Sequence, residues 1–130
     1  MEMQATGSIL YLPVLPSYPF LVTGVPWPMQ LELQQELVGG YVQPFTVVPG
    51  GIVGWCNEDG QAMNLLPNIL ATLTCERALL GPVFFTGGFG WHGQDDWAPL
   101  PADLCCALVE QGGTSVTIND VLESIRGKAS

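Results

Sequence analysis

The single histidine of this 130-residue chain stands close to two carboxylates. His92 is followed by Asp95 and Asp96, and an imidazole beside a carboxylate is the kind of pair that a hydrolase uses as its base. No serine or cysteine is placed beside His92 by a known local motif. The three side chains could also contact a metal ion, but they lack the ligand spacing of a zinc site. We therefore interpret the cluster as a solvated loop and expect no catalytic residue and no metal, with the hydrolase as an alternative.

The loop around this histidine is rich in glycine and aromatic residues. Gly87-Gly88-Phe89-Gly90 is followed by no Lys-Ser/Thr pair and fits no G-x-G-x-x-G frame, so it is not a phosphate-binding motif. The aromatic side chains of Phe89, Trp91 and Trp97 could stack on a planar ligand, insert into a partner, or fold back over the core. We take these three residues and His92 as candidate ligand- or partner-binding residues.

Four polar residues outside this loop are further candidates. Asn57 and Glu58 lie at a predicted turn, where asparagine is also expected for backbone reasons alone. Together with Asn68 they could line one rim and hydrogen-bond a small ligand. Arg77 is the only cation before residue 126. It either pairs with a carboxylate such as Glu76 or Glu58, or grips the phosphate of a bound nucleotide.

Charge excludes some classes of partner. Three Lys and Arg residues against 12 Asp and Glu residues give a net charge of -9, which repels nucleic-acid backbones and anionic lipid headgroups. We therefore expect no direct nucleic-acid binding and no membrane binding. The opposite possibility is an acidic nucleic-acid mimic that blocks a DNA-binding partner, although charged residues make up only 12% of the chain.

The cysteines and the apolar runs bear on location. The four cysteines show no C-x-x-C spacing, and the adjacent Cys105 and Cys106 are interpreted as small, buried apolar residues. No secretory signal opens the chain, and its apolar runs are interrupted by Pro or Gly well short of a membrane span. We expect reduced thiols and a cytoplasmic location in a host cell.

The elements that would position these candidates are best defined around one helix. Pro28 to Val38 is predicted to form a helix capped by Gly39 in a left-handed conformation, followed by a strand over 41–48. Asp59-Gly60 predicts a hairpin with a returning strand over 61–64. Further strands are predicted over 8–15, 19–23, 52–56 and 83–86, with helices over 69–73 (N-cap Asn68, with Ile69, Leu70 and Leu73 facing inward), from Pro101, and from the N-cap Asp120, whose helix Gly127 would close.

This order predicts an α+β fold. We expect a mostly antiparallel sheet of about five or six short strands, with a helix after the second strand and one or two C-terminal helices. Hydrophobic residues make up 48% of the chain, enough for one real core. We divide the chain into an α+β domain over 1–112 and a C-terminal strand and helix extension over 113–130.

Several short motifs resemble those of a known family. Val38-Gly39-Gly40-Tyr41, Asn57-Glu58-Asp59-Gly60, Leu66-Pro67-Asn68 and Gly81-Pro82-Val83 occur in this order, and together they resemble the small phage- and plasmid-borne family called domain of unknown function 3846. The resemblance covers about Ser8 to Glu110. The chain departs from the pattern in its long loop over 87–97 and in the apolar pair Ile69-Leu70. The family has no established chemistry to carry over.

The resemblance implies a cytosolic accessory protein of a phage or mobile element. We expect a non-enzymatic protein that binds a small ligand or a host protein, with counter-defence as one such role, and that needs no cofactor. A homodimer is also compatible with the sequence. The hydrolase built on His92 and the nucleic-acid mimic are the alternatives.

Overall fold

The computed structural model describes residues 6–14, 19–48, 51–88, 98–110 and 114–128. Within these residues the chain forms a six-stranded sheet with helices on both faces. The strands are β1 (Thr6–Leu12), β2 (Phe20–Pro26), β3 (Val42–Val48), β4 (Ile52–Asn57), β5 (Val83–Gly87) and β6 (Thr114–Thr117). The helices are α1 (Leu31–Val38), α2 (Ile69–Cys75), α3 (Ala102–Glu110) and α4 (Ile118–Lys128). No helix in the described residues is long and apolar enough to cross a bilayer.

The strands lie in the order β3-β4-β5-β1-β2-β6. Four of the five neighbouring pairs are antiparallel, and β2 with β6 is the parallel pair. The predicted α+β fold is therefore confirmed, including the helix after the second strand and the C-terminal helices. Residues on both sides of the predicted division at 112 share this one sheet. The edge strand β3 contains an exposed proline, Pro44.

The helix α1 ends as its sequence predicts. Gly39 has a φ of 79° and its N–H donates to the carbonyl of Gln35 at 2.8 Å. The helix begins later than predicted, because Gln30 has an extended backbone and is the N-cap.

The predicted hairpin at Asp59-Gly60 is wrong. The carboxamide oxygen of Asn57 accepts the N–H of Asp59 at 2.8 Å, and the chain continues into a helical turn in which the N–H of Met63 donates to the carbonyl of Asp59 at 2.9 Å. A turn of this kind leaves no returning strand over 61–64. Gly60 does not have the positive φ that the hairpin required.

The last helix begins two residues before the predicted N-cap. Thr117 and Asp120 form a reciprocal capping box: the Asp120 carboxylate accepts the N–H of Thr117 at 3.1 Å, and the Thr117 hydroxyl accepts the N–H of Asp120 at 3.3 Å. Asp120 is therefore in the first turn of α4 and not its N-cap. Gly127 lies inside the helix and does not end it.

Each face of the sheet carries its own core. On one face, α1 and α4 cover buried side chains that include Ile9, Val22 and Phe84, with the Phe84 ring stacked on Trp55 at 5.8 Å between centroids. On the other face, α2 and α3 cover a second group that includes Val83 and Phe85. The second face contains the candidate site.

Candidate functional site

Half of the predicted site residues cannot be placed. Phe89, Trp91, His92 and Trp97 lie outside the described residues, together with Asp95 and Asp96. Their binding role and the hydrolase alternative stay predictions. Among the residues that the structure does describe, no group of three or more His, Cys, Asp or Glu side chains is arranged to hold a metal ion.

Asn57 links two of the family-like motifs. It is buried, and its amide donates to the carbonyl of Val38 at 3.1 Å while its oxygen accepts from Asp59. A Cβ on Gly40 would lie 2.8 Å from the Asn57 amide nitrogen, so the glycine makes room for this side chain. The neighbouring Glu58 is exposed. Asn57 therefore caps the C-terminal end of α1, and its predicted ligand role stays a prediction.

Asn68 forms three side-chain hydrogen bonds to backbone groups. It is fully buried, and its amide donates to the carbonyls of Leu12 at 2.8 Å and Gly81 at 3.0 Å. Its oxygen accepts the N–H of Ala71 at 3.1 Å, which confirms the predicted N-cap of α2. These bonds tie α2 to the end of β1 and to the turn before β5. A ligand-binding role for Asn68 also stays a prediction.

Arg77 stacks on an aromatic ring and makes no ion pair with Glu58 or Glu76. Its guanidinium carbon lies 4.8 Å from the centre of the Phe45 ring, a cation–π contact. The Phe45 ring also covers Gly54, where any Cβ would overlap the ring. The edge of Phe45 meets Phe85 at 6.3 Å between centroids and 81° between planes.

An apolar cleft lies beside this stack, between α2 and α3. We use "the cleft" for this cavity of about 240 Å³. Sheet residues from four strands contribute to its lining: Leu10, Leu12, Val47, Ile52 and Phe85. The rest of the lining comes from Leu70 and Thr74 of α2, from Leu100 and Leu104 at the start of α3, and from Pro19. Thr74 is the one polar side chain among them.

The orientation of α2 differs from the prediction. Ala71 is fully buried and Leu70 lines the cleft, but Ile69 and Leu73 are 60% and 72% exposed. The Asn68 cap fixes the rotation of the short helix, so the predicted inward face holds only for Leu70. The sequence analysis missed the cleft because its lining comes from segments far apart in the chain. Each apolar residue of the lining is also indistinguishable from an ordinary core residue.

The cysteines of this region are not activated. Burial raises the pKa of the Cys56, Cys75 and Cys105 thiols above their usual value, and the charge of Arg77 offsets this only in part for the first two. All four cysteines are free thiols. A raised pKa lowers the thiolate fraction, so these three are poor nucleophiles at neutral pH.

Comparison with known proteins gives one family. The model of the family described as "Domain of unknown function (DUF3846)" matches residues 11–113. Neither a curated protein nor a solved structure matches the chain. The match covers most of the chain and spans both the Asn57 and Asn68 motifs. The protein therefore belongs to the DUF3846 family.

Proposed function

We propose that this protein is a non-catalytic binding protein that holds a small apolar ligand in the cleft. The observation that carries the proposal is the cleft itself, an open space with an apolar lining. Apolar surface left in contact with water is unfavourable by about 25 cal/mol per Å². A ligand that covers the lining therefore gains this free energy when it binds.

The size and chemistry of the cleft restrict the ligand. Its volume of about 240 Å³ is below the range of about 300–1,000 Å³ that drug-sized ligands occupy. At roughly 30 Å³ per carbon group, close to the share of one water molecule, it accommodates about eight such groups. The Thr74 hydroxyl already donates to the carbonyl of Leu70 at 2.7 Å. The lining thus suits a hydrocarbon chain better than a nucleotide.

The described residues favour binding over catalysis. The described lining side chains include no acid, base or cysteine, so none of them is able to transfer a proton or attack a bond in a bound ligand.

The biological setting is a further part of the proposal. Membership of the family supports an accessory protein of a phage or mobile element that acts in the cytoplasm of a host cell. Such a protein could remove its ligand from a host defence pathway. The net charge of -9 supports a partner other than nucleic acid.

The proposal is tested by titrating the protein with 1-octanol, a neutral eight-carbon chain, in a calorimeter. Thr74→Trp places a large ring at the rim of the cleft, on a side chain that is exposed and outside the tightly packed core. Leu73→Trp is the matched control, because it puts the same ring on the outward side of α2. We expect octanol to bind the wild type and the control equally, and Thr74→Trp to weaken binding at least tenfold.

Two results would contradict the proposal. One is the absence of octanol binding by the wild type up to the solubility limit of the alcohol. The other is an equal effect of the two tryptophan variants, which would place the alcohol elsewhere on the protein. Circular dichroism spectra of the variants, matched to the wild type, check that each remains folded.

A further inference from the structure

We propose that the ligand of the cleft is a single-chain amphiphile with a carboxylate head, and that Arg77 binds this head. The inference rests on the proposed function, because it assigns the polar end of the ligand that the cleft would hold. Arg77 does not itself line the cleft. The sequence analysis considered a phosphate as its ligand, and we now propose a carboxylate.

Among the described residues, Arg77 contacts the Phe45 ring and no carboxylate. In the described part of the chain Arg126 forms an ion pair with Glu36, with nitrogen–oxygen distances of 2.7 and 3.1 Å. This pair lies between α4 and α1. Arg77 is exposed and makes no ion pair with any described carboxylate. A guanidinium has five N–H donors in a planar fork, and a carboxylate accepts two of them in parallel.

The position of Arg77 is fixed relative to the cleft. Its guanidinium rests on Phe45, Phe45 contacts Phe85, and Phe85 is part of the lining. Two sequence neighbours also line the cleft: Thr74, three residues before Arg77, and Val47, two residues after Phe45 on the same strand. From these contacts we place the cation beside the part of the lining that β3 contributes. A chain lying along the cleft could present its head group there.

Stacking prepares the guanidinium for this role. The Phe45 ring covers Gly54 and also contacts Arg77, so it holds the guanidinium next to the sheet. Arginine is more weakly hydrated than lysine, and its planar fork loses little entropy when it binds a carboxylate. The site thus combines an apolar surface with an oriented donor of two hydrogen bonds.

The charge of the whole chain favours a single negative charge on the ligand. With a net charge of -9, the protein repels anions in general, and a dianion is repelled more strongly than a monoanion. Arg77 is the one cation between residues 6 and 110 in the sequence. A carboxylate at this position gains a local attraction that would be screened by salt, since Arg77 is exposed.

The test compares octanoate with 1-octanol, which share a chain length and differ in the head group. Calorimetric titrations use the full chain at neutral pH and low salt, with wild type, Arg77→Gln and Arg126→Gln. The last variant is the matched control, because it removes the same charge from the other face of the sheet. We expect Arg77→Gln to weaken octanoate binding at least tenfold and to leave octanol binding unchanged. Arg126→Gln should change neither.

The outcomes separate this inference from the proposed function. If octanol and octanoate both bind and Arg77→Gln has the same small effect on each, the cleft binds apolar chains but Arg77 does not select the head, and the inference is overturned. If neither compound binds the wild type, the proposed function fails and the inference with it. Unchanged octanol binding by Arg77→Gln also shows that this variant is folded.

Discussion

Asn68 shows how a single polar residue can determine the position of a helix. Its donors and its acceptor are all used by backbone groups from three separate segments, so the side chain costs little to bury. The N-cap role was predictable from the sequence, because Asn68 precedes an apolar helical segment. The bonds to Leu12 and Gly81 were not, since they depend on contacts 56 and 13 residues away.

We predict that Asn68→Asp destabilises the fold in a pH-dependent way. The carboxylate keeps the N-cap acceptor but faces the carbonyls of Leu12 and Gly81 without a donor, at a cost of about 2–4 kcal/mol. Burial and these carbonyls should raise the pKa of the new carboxyl in the folded state above its unfolded value. The variant is then least destabilised in acid and loses stability as the pH rises. Urea unfolding of the wild type and the variant at pH 4 and pH 7 would measure this, because a free aspartate has a pKa of about 3.9. An equal loss of unfolding free energy at the two pH values would contradict the prediction.

Tyr11 gives a second pH dependence. Burial raises its pKa to about 12 from its ordinary value of 10.0. The folded state holds the Tyr11 proton more tightly than the unfolded state. The stabilising contribution of Tyr11 to the free energy of unfolding is therefore fully present below pH 10. It is lost as the pH rises from 10 towards 12, and amounts to about 3 kcal/mol by the linkage of pKa to stability.

This loss can be measured by urea unfolding between about pH 9 and pH 12, a range that includes the ordinary pKa of tyrosine. The Tyr11→Phe variant is the control, because it removes the titrating group while leaving the ring in the core. We expect stability to fall more steeply with pH in the wild type than in the variant. Parallel curves would show that Tyr11 has no part in the alkaline loss.

Some helix ends could be predicted from the sequence and others could not. The stop at Gly39 was predictable because the left-handed cap is a local property of one glycine. The start of α1 was not predicted correctly, because Gln30 has an extended backbone and the helix begins three residues after Pro28. The hairpin after β4 was predicted wrongly for a similar reason. Asn57 is bonded to the carbonyl of Val38 at the end of α1 as well as to Asp59, and the contact with α1 is not local.

We predict that replacing Gly39 and Gly127 by alanine changes the stability of the protein in opposite directions. Gly39→Ala should cost about 1–2 kcal/mol, because an L-residue is strained at a φ of 79°. Gly127→Ala, within α4, should stabilise the protein by about 0.5–1 kcal/mol, because glycine is a poor helix residue. No atom of the described residues would crowd either new Cβ. Urea unfolding of both variants would check this, and a shift of the same sign in both would refute it.

At the scale of the whole molecule, the C-terminal segment completes the sheet. Residues 114–117 pair with β2, the Thr23 hydroxyl donates to the carbonyl of Val116 at 3.3 Å, and Ile118 and Val121 of α4 are each only 6% exposed. The family match ends at residue 113, just before this segment. The predicted division at 112 did not take into account the parallel pairing of β6 with β2, because these strands are about 90 residues apart in the sequence.

We predict that a chain truncated after residue 112 is much less stable than the full chain. Removing Ile118 and Val121 alone forfeits about 3–6 kcal/mol of apolar burial, a large share of the 5–15 kcal/mol typical of a domain. Urea unfolding followed by circular dichroism would measure the loss. The double variant Ile118→Ala/Val121→Ala in the full chain should show part of it. An unchanged unfolding midpoint for the truncated chain would support an independent domain over 1–112.

Pro44 on the β3 edge has a consequence for growth of the sheet. A proline offers no N–H to an approaching strand, and on edge strands its nitrogen faces outward. At the opposite edge, β6 is only four residues long and carries mostly exposed polar side chains. Both ends of the sheet thus resist templating another chain, the step that leads to fibres. A protein with such edges can accumulate at high concentration without polymerising through its sheet.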